Sequence, residues 1–371
     1  MVQQRQIDVG IVGGGPAGLA MGIAARRKGL RATVFEAARP PIDKACGEGL
    51  MPDAVAALRK LGVGLDPAAS AAFRGIRFVE PGRSLEAAFP SGSGVGIRRT
   101  TLHQILIEHA SAAGVGLHWG ALVRGVSGEV ISLDGQSFRC AWIVGADGQN
   151  SRVRRWAGLD AGRPAASRYG FRRHFRTGLW TDFVEVHWSG SAQAYVTPVG
   201  PEEICVAVLS HDPSVRFGDL FRLFPELGRR LENATPVTGV RGGVSLTRSL
   251  KKVCAGRVAL VGDASGSVDA ITGEGLCLAF QQAVALADAL VNGDLATYQA
   301  RQRRIGRLPA AMTGLMLRLD RHPSLRRRVF AALSADPAMF SRLLAIHLGA
   351  LPPSSVGVRG ALALGWRVAT A

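Results

Sequence analysis

The spacing of hydrophobic and polar residues changes along the chain and predicts regions of different secondary structure. Near the start, the mostly apolar run from Ile7 to Val12 predicts a buried strand, and the helical pattern PAGLAMGIAARRKGL follows it. A second run, RATVFE, predicts another strand that ends at Glu36. Strand, helix and strand in this order are typical of a parallel sheet in an α/β protein.

The pattern differs in the rest of the chain. Between residues 160 and 250, stretches such as FVEVHWSGSAQAYVTPV and EEICVAVLS alternate or run apolar over strand lengths. From Tyr298 onward the helical period returns, with Leu, Met and Phe opposite Arg. We expect these helices to pack on the protein in preference to a membrane surface. Residues 360–371 are predicted to lack regular structure.

A glycine cluster separates the first predicted strand from the first helix, where Gly13, Gly15 and Gly18 form a G-x-G-x-x-G motif. The first glycine permits a tight turn, the second lets a diphosphate approach the helix N-terminus, and the third allows close packing of helix on strand. Glu36 follows at the position that holds a ribose hydroxyl in such sites. The pattern predicts dinucleotide binding, and by itself it also fits a nicotinamide-dependent dehydrogenase.

Further motifs downstream decide between these possibilities. The apolar strand CAWIV leads into GADGQNSRVRR, which contains Asp147, and a second strand, GRVALVGDA, reaches Asp263 just before the glycine-rich GSVDAITGEGL. Together with the first glycine cluster, these motifs resemble the FAD-dependent family of p-hydroxybenzoate hydroxylase, the ubiquinone-pathway hydroxylases, the geranylgeranyl reductases and the flavin-dependent halogenases. The resemblance covers roughly residues 1–300.

This resemblance implies both a fold and a division into domains. The fold class is α/β, with an FAD-binding, Rossmann-like domain of the glutathione reductase type, a mixed-sheet substrate domain and a helical C-terminal tail. Two of the domains are expected to be discontinuous. The expected bounds are 1–73 plus 91–160 plus 251–300 for the FAD-binding domain, 74–90 plus 161–250 for the substrate domain, and 301–371 for the C-terminal helices.

The resemblance also implies FAD as the cofactor and assigns residues to it. Asp147 belongs to the motif beside the flavin and diphosphate, Asp263 accepts a hydrogen bond from a ribityl hydroxyl, and a helix that begins near Gly275 points its N-terminus at the flavin ring. Ala270 stands where the family usually has a proline. The residues expected to bind the cofactor are Gly13, Gly15, Pro16, Ala17, Gly18, Glu36, Arg99, Val123, Asp147, Asp263, Gly273, Glu274, Gly275 and Leu276.

The resemblance further implies an enzyme, for which a monooxygenase is the leading hypothesis. Such an enzyme takes electrons from NADPH or NADH as a transient reductant and hydroxylates an aromatic, polyketide-like or other hydrophobic small molecule through a flavin C4a-hydroperoxide. The loop KACGEGLMP, residues 44–52, is similar to the Cys-Gly-x-Gly-Leu of the geranylgeranyl reductases and is expected to cross the flavin. The candidates for substrate contact or proton transfer are Cys46, Tyr195, His174 and His187.

Three alternatives stay open. The first is an FAD-dependent reductase or dehydrogenase of C=C bonds, similar to the geranylgeranyl reductases. The second, a flavin-binding protein that has lost its chemistry, is disfavoured by the intact glycines and aspartates. The third, a nucleic-acid binder, is suggested by the formal charge of +17, but the arginines are scattered without interleaved aromatic residues. We therefore expect a small-molecule partner and no nucleic acid.

The cysteines bear on the cellular compartment. The five cysteines are far apart and include no C-x-x-C pair, so neither a disulfide framework nor a metal site is predicted. A reducing cytoplasm is expected, and the first residues lead directly into a strand without the pattern of a signal peptide.

Overall fold

The computed structural model describes residues 7–160, 166–190 and 192–370, and within them the chain forms nineteen β-strands and eleven α-helices. The strands are β1 (Ile7–Val12), β2 (Ala32–Glu36), β3 (Gly49–Leu50), β4 (Ala71–Phe73), β5 (Gly75–Glu80), β6 (Arg83–Ala88), β7 (Gly94–Gly96), β8 (Gly116–Trp119), β9 (Gly125–Ser127), β10 (Val130–Leu133), β11 (Gln136–Gly145), β12 (Ala166–Arg176), β13 (Phe183–Trp188), β14 (Ala192–Gly200), β15 (Glu203–Ser210), β16 (Thr235–Pro236), β17 (Arg241–Thr247), β18 (Cys254–Ala255) and β19 (Val258–Leu260). The helices are α1 (Pro16–Arg27), α2 (Pro52–Lys60), α3 (Arg99–Ala112), α4 (Arg152–Trp156), α5 (Leu220–Leu223), α6 (Pro225–Leu231), α7 (Gly275–Val291), α8 (Leu295–Arg321), α9 (Pro323–Ser334), α10 (Pro337–His347) and α11 (Gly357–Thr370).

The first large sheet has the strand order β18-β19-β11-β1-β2-β8, and every pair in it except β18 with β19 is parallel. Strands β10 and β9 add an antiparallel arm to β11. Val9, Ile11, Ile143 and Val144 on the central strands are fully buried, as expected for a parallel sheet covered on both faces. The predicted opening of strand, helix and strand is confirmed as β1, α1 and β2.

The second large sheet has the order β16-β12-β15-β14-β13-β5-β6, with β17 also paired to β12. All its pairs are antiparallel except β13 with β5, so the sheet is mixed, as the α/β fold class predicts. Strands β5 and β6 reach this sheet from a part of the chain that lies between segments of the first sheet. A small third sheet, β3-β7-β4, packs on β14. Gly96 of β7 permits this close packing, since a Cβ there would lie only 1.7 Å from the carbonyl oxygen of Pro198.

Helices α8 to α11 form a layer against the second sheet. Phe330 of α9 and Phe340 of α10 pack on Phe78 of β5, and the rings of Phe78 and Phe330 are stacked with their centroids 5.6 Å apart. The prediction that residues 360–371 lack regular structure is wrong for those described. They complete α11, whose Leu364 packs against the same apolar cluster and so holds the helix in place.

Membrane-spanning segments were sought by helix length and hydropathy. No single helix in the described ranges is long and apolar enough to cross a membrane. Helices α9 and α10 meet the test only when taken together, and the chain bends by 109° between them.

The contact between α8 and the first sheet gives a test of the fold. Tyr298 is fully buried, and its hydroxyl donates a hydrogen bond to the carbonyl oxygen of Leu260 in β19 at 2.6 Å. Tyr298→Phe keeps the ring but leaves that carbonyl without this donor, so we expect a loss of about 1–3 kcal/mol in the free energy of unfolding. Urea titration of this variant beside Tyr169→Phe, a half-buried tyrosine, measures the difference, and equal stability of the two variants would contradict the assignment.

Candidate functional site

A single large cavity of about 1270 Å³ collects most of the residues singled out in the sequence. One end lies at the carboxyl ends of β1, β2, β11 and β19, where open α/β sheets bind their ligands. The other end is walled by the second sheet and by helices α8 to α11. Every predicted cofactor residue lines this cavity except Gly18 and Glu274.

The glycines of the first motif have the geometry that their assigned roles require. Gly13 has φ +111°, and a Cβ there would lie 2.4 Å from the carbonyl oxygen of Ala146. A Cβ at Gly18 would lie 1.8 Å from the carbonyl oxygen of Gly13, so Gly18 serves the packing of α1 on β1. By contrast, a Cβ at Gly15 meets no atom within 4 Å and would project into the cavity in front of the α1 N-terminus. That space, next to unpaired helix N–H groups, suits a diphosphate.

The end of β2 forms a second part of the wall. The Glu36 carboxylate accepts the N–H of Gly14 at 2.7 Å and the N–H of Ala38 at 2.8 Å, which fixes it at the cavity rim. Val123 also faces the cavity, and its main chain makes no hydrogen bond with the rest of the described chain. A free main-chain amide there can pair with the edge of a nucleobase.

His103 supports this region from behind and was missed in the sequence analysis. It is fully buried, and burial lowers the pKa of its imidazole, so the ring is neutral. Its Nδ1 accepts the N–H of Ile42 at 3.3 Å, and its Nε2 therefore donates to the carbonyl oxygen of Gly14 at 2.8 Å. The imidazole thus links the glycine turn to the loop after β2. No sequence motif marks this residue, because the contact joins segments far apart in the chain.

The Asp147 loop is held by its own hydrogen bonds. The Asp147 carboxylate accepts the N–H groups of Arg152 at 2.7 Å and Val153 at 3.1 Å and therefore caps α4. Arg154, almost fully buried, donates to the carbonyl oxygens of Gln149 at 2.9 Å and Ala264 at 3.1 Å. These bonds tie the loop after β11 to the loop after β19.

Two polar groups face the cavity without a partner. The Asp263 side chain makes no hydrogen bond or ion pair with the described residues. Desolvation raises the pKa of this carboxyl, and the positive charges of Lys44 and Arg99 oppose that rise. Arg99 is buried, and its Nε has no hydrogen-bond partner in the described part of the chain. A ligand rich in hydroxyl groups and phosphate oxygens satisfies an acceptor and a donor placed in this way. The cradle at Gly15, the carboxylate at Asp263 and the guanidinium at Arg99 together fit FAD.

Comparison with known proteins agrees with this geometry. Residues 6–190 match the family described as FAD binding domain. The chain is 29% identical to the menaquinone reductase of Mycobacterium tuberculosis over 317 residues, 78% of each chain. It is 28% identical to the aurachin C monooxygenase/isomerase of Stigmatella aurantiaca over 79% of this chain and 84% of that one. The fold is similar to that of a flavin-dependent brominase, with a TM-score of 0.80, 19% identity and coverage of 97% and 98%.

The chain is an FAD-dependent oxidoreductase, and its residues 6–190 are the part that matches the FAD binding domain. The loop after β19 lines the cavity and is the loop that the sequence analysis expects to face the flavin, with Ala270 in place of the usual proline. Asp269 caps the short turn Ala270–Thr272 by accepting the N–H of Ile271 at 3.0 Å, and Arg168 binds the same carboxylate oxygen at 3.3 Å. The Tyr195 hydroxyl donates to the carbonyl oxygen of Ile271 at 2.9 Å. Side-chain bonds thus replace the rigidity of the missing ring.

The anchor of this flavin-facing loop extends deep into the protein. Arg168 is 2% exposed and also lies 3.4 Å from a carboxylate oxygen of Asp320 on α8. Gln193 bonds to both Arg168 and Asp320. Because buried charges are stable only when paired, the second sheet, the flavin-facing loop and α8 are coupled through this cluster.

The Cys46 loop also lies at the cavity wall of this flavoenzyme. Cys46 is half-buried there, and burial raises the pKa of its thiol, so it is uncharged at neutral pH. The neighbouring Glu48, which the motif contained but the sequence analysis did not single out, has φ +60°. Its carboxylate accepts the N–H of Arg99 at 2.9 Å and lies 2.6 Å from Nε2 of His174. These contacts hold Glu48 in a backbone conformation that residues other than glycine rarely adopt.

The four candidate catalytic residues separate into two pairs. Cys46 and Tyr195 line the cavity, whereas His174 and His187 do not. His174 is buried behind Glu48, and His187 is buried with its Nε2 3.0 Å from a carboxylate oxygen of Glu185. The structure therefore does not bring either histidine to the cavity. His187 lies on the face of the second sheet opposite Val184 and Val186, whereas His174 shares the face of Arg172 and is covered by Glu48.

Glu274 differs from its predicted role as a flavin contact. Its side chain is 3% exposed, and Oε1 lies 3.0 Å from Nε2 of His347 on α10. Burial raises the pKa of Glu274 to about 8, with the charge of Asp53 adding to the effect, while burial lowers the pKa of His347. Both shifts favour a neutral pair at neutral pH. The two side chains lie in contact where the α7 N-terminus, at the cavity wall, meets the helical layer.

The two open glycine positions give a matched test of the cofactor site. Gly15→Ala places a methyl group in open space at an ordinary φ of −72°, so the apoprotein should keep its stability while FAD binds at least about tenfold more weakly. Gly18→Ala forces a clash inside the protein and should lower the free energy of unfolding by about 2 kcal/mol or more. FAD titration and thermal unfolding of both apoproteins separate the effects. Unchanged FAD affinity in Gly15→Ala would refute the cradle.

The raised pKa of Glu274 predicts how stability depends on pH. Because the folded-state pKa of about 8 lies above the ordinary 4.5, the protonated carboxyl stabilises the fold fully at low pH, and this stabilisation is lost as pH rises through about 8. Glu274→Gln should remove a decline on the order of 3 kcal/mol between about pH 5 and pH 8. The free energy of unfolding is measured across this pH range for the wild type, Glu274→Gln and the exposed control Glu226→Gln. The same pH dependence in Glu274→Gln and the wild type would contradict the raised pKa of Glu274.

Proposed function

We propose that this chain is an FAD-dependent, NAD(P)H-using monooxygenase whose substrate has an electron-rich head and a long apolar chain. The observation that carries the proposal is the continuity of one cavity from the cofactor residues to an apolar chamber. A compact aromatic substrate needs no such length. The chamber is lined by side chains of the second sheet and the helical layer, including Phe78, Val184, Val186, Met312, Met316, Leu319, Phe330, Leu333, Phe340, Leu344, Leu364 and Val368.

The polar residues of the chamber lie at its flavin end. Arg172 of β12 lines the cavity and is paired with Asp43 and Glu48, and Tyr195 and Thr197 stand on β14, which is separated from β12 by β15. Burial raises the pKa of the Tyr195 hydroxyl, which therefore stays protonated at neutral pH. In the proposed function these groups orient the head of the substrate, while the apolar walls bind its chain and exclude water from the flavin.

The cofactor and the protein have separate tasks in this mechanism. When bound, FAD supplies hydride acceptance from NAD(P)H and the activation of oxygen. The chain supplies the α7 N-terminus, which begins at Gly275 in the cavity wall; its N–H groups and partial positive charge would stabilise negative charge on a bound flavin. The loop at Asp269, pinned by Arg168, keeps that helix end in position.

A reductase of C=C bonds is a second candidate, and two observations favour it. Cys46 of the Cys-Gly-Glu-Gly-Leu loop lines the cavity, as the similarity of that loop to the geranylgeranyl reductases suggests. The relative from Mycobacterium tuberculosis named above is a menaquinone reductase. Both candidates share the cofactor, the reductant and an apolar substrate, and they differ in the need for oxygen.

Turnover with and without oxygen distinguishes these two candidates. The holoprotein, reduced anaerobically with NADPH or NADH, is mixed with alkyl- or prenyl-substituted phenols and quinones, and products are identified by mass spectrometry. We expect reaction only after oxygen is admitted, with the gain of one oxygen atom. A product that gains two hydrogen atoms without oxygen would establish the reductase instead.

A variant of the chamber tests the proposed substrate shape in the same assay. Met316→Trp fills the chamber on α8 and should lower kcat/KM for long-chain substrates at least about tenfold while sparing short-chain ones. Ala311→Trp adds the same side chain on the exposed face of α8 and serves as the control. Equal losses for short and long chains would contradict the assignment of this chamber to the chain.

A further inference from the structure

Helix α11 is apolar on two opposite faces. Leu364 and Val368 line the cavity on the inner face. Val358, Leu362 and Trp366 recur every four residues and form an outer stripe, which lies about 200° around the helix from the inner residues. Their exposed fractions are 77%, 69% and 73%, the highest of the large hydrophobic residues described. A helix that is apolar all round is typical of one covered on both sides.

The segment that carries this stripe is also strongly basic. Residues 301–371 contain twelve Arg, no Lys and two Asp, a net charge of +10 out of the total of +17. Both aspartates are paired within the protein, Asp320 with Arg168 and Asp336 with Arg367. Ten of the twelve arginines are exposed, including Arg359 on α11 itself. Such a surface is complementary to an anionic partner and repels a second copy of itself.

The helix that carries the stripe also forms part of the wall of the substrate chamber. Leu315 of α8 lines the cavity and is also 45% exposed, so the chamber reaches the surface at the helical layer. The inner face of α11 is part of the same chamber wall. One helix therefore separates the chamber from whatever covers the outer stripe.

We propose that the outer stripe of α11 docks on the surface of an anionic phospholipid bilayer. Val358, Leu362 and Trp366 insert at the level of the lipid head groups, where tryptophan is favoured, and exposed arginines of the helical layer, among them Arg359 beside the stripe, bind the negatively charged head groups. The proposed docking rests only on the apolar outer stripe of α11 and on the positive charge of residues 301–371. Entry of a lipid-soluble substrate from the bilayer into the chamber beside α11 rests in addition on the proposed function.

Vesicle binding by the full holoprotein tests the docking. Vesicles of phosphatidylcholine alone are compared with vesicles that also contain phosphatidylglycerol, and bound protein is measured by flotation through its flavin absorbance. We expect binding to the anionic vesicles that weakens at high salt. The triple variant Val358→Ser, Leu362→Ser, Trp366→Ser should bind at least about tenfold more weakly.

A matched control removes exposed apolar area elsewhere. Phe221→Ser with Val291→Ser, at residues 50% and 52% exposed, should bind vesicles like the wild type. Retained flavin absorbance and circular dichroism show that each variant is folded, and the single variant Leu362→Ser replaces the triple one if the latter loses flavin.

Three results would overturn the docking: no binding of the wild type to anionic vesicles, equal binding of the stripe variant, or a wild-type dimer that the stripe variant converts to a monomer without vesicle binding.

The entry of substrate from the bilayer is tested by a separate measurement. Turnover of a vesicle-embedded substrate should fall in the stripe variant while turnover of the same substrate in detergent is unchanged. Absence of turnover in both vesicles and detergent would refute the proposed function, whereas the measured binding to vesicles would still support the docking.

Discussion

The structure depends on the close approach of α1 to β1, which only glycine allows. A side chain at Gly18 would overlap the carbonyl oxygen of Gly13, and a side chain at Gly13 would overlap the main chain at Ala146. Because these contacts are between backbones, they fix the helix N-terminus directly over the carboxyl ends of β1 and β11. The residue between them, Gly15, is left facing open space. The site for a diphosphate thus follows from the packing of one helix on one sheet.

The remainder of the cofactor site is held by buried polar links between loops. His103 holds the glycine turn, Arg154 joins the loops after β11 and β19, and Arg168 pins the flavin-facing loop through Asp269. Each link gives a hydrogen-bond partner to polar groups that would otherwise be buried without one. Loss of one side chain of a link therefore leaves its partner groups unsatisfied and lowers the stability of the fold. Rigid placement of Asp263 and Arg99, which are themselves unpaired toward the cavity, is what these links provide.

The second sheet and the helical layer serve the substrate side. Their side chains that line the cavity are mostly apolar, and Tyr195, Thr197 and Arg172 are among the polar ones. The same sheet buries His187 on the other side, where it is paired with Glu185, and it buries His174 on the cavity side beneath Glu48. A strand alternates its faces, and so a histidine in a strand is as readily a structural residue as a catalytic one.

The sequence alone determined the parallel sheet, the glycine motifs and the cofactor class, because each depends on local features. A strand, a tight turn and a helix start are fixed by neighbouring residues. Only glycine suits the positive φ of Gly13 and the space at Gly18. Ala270 was recognised as a departure from the family, but its compensation by Arg168 was not, since those residues are 102 positions apart in the chain. The tertiary structure alone decided that Glu274 pairs with His347, that His174 lies behind Glu48, and that α11 has one covered and one exposed apolar face. The physical reason is that burial and pairing are properties of surfaces brought together by folding, and no spacing along the chain records them.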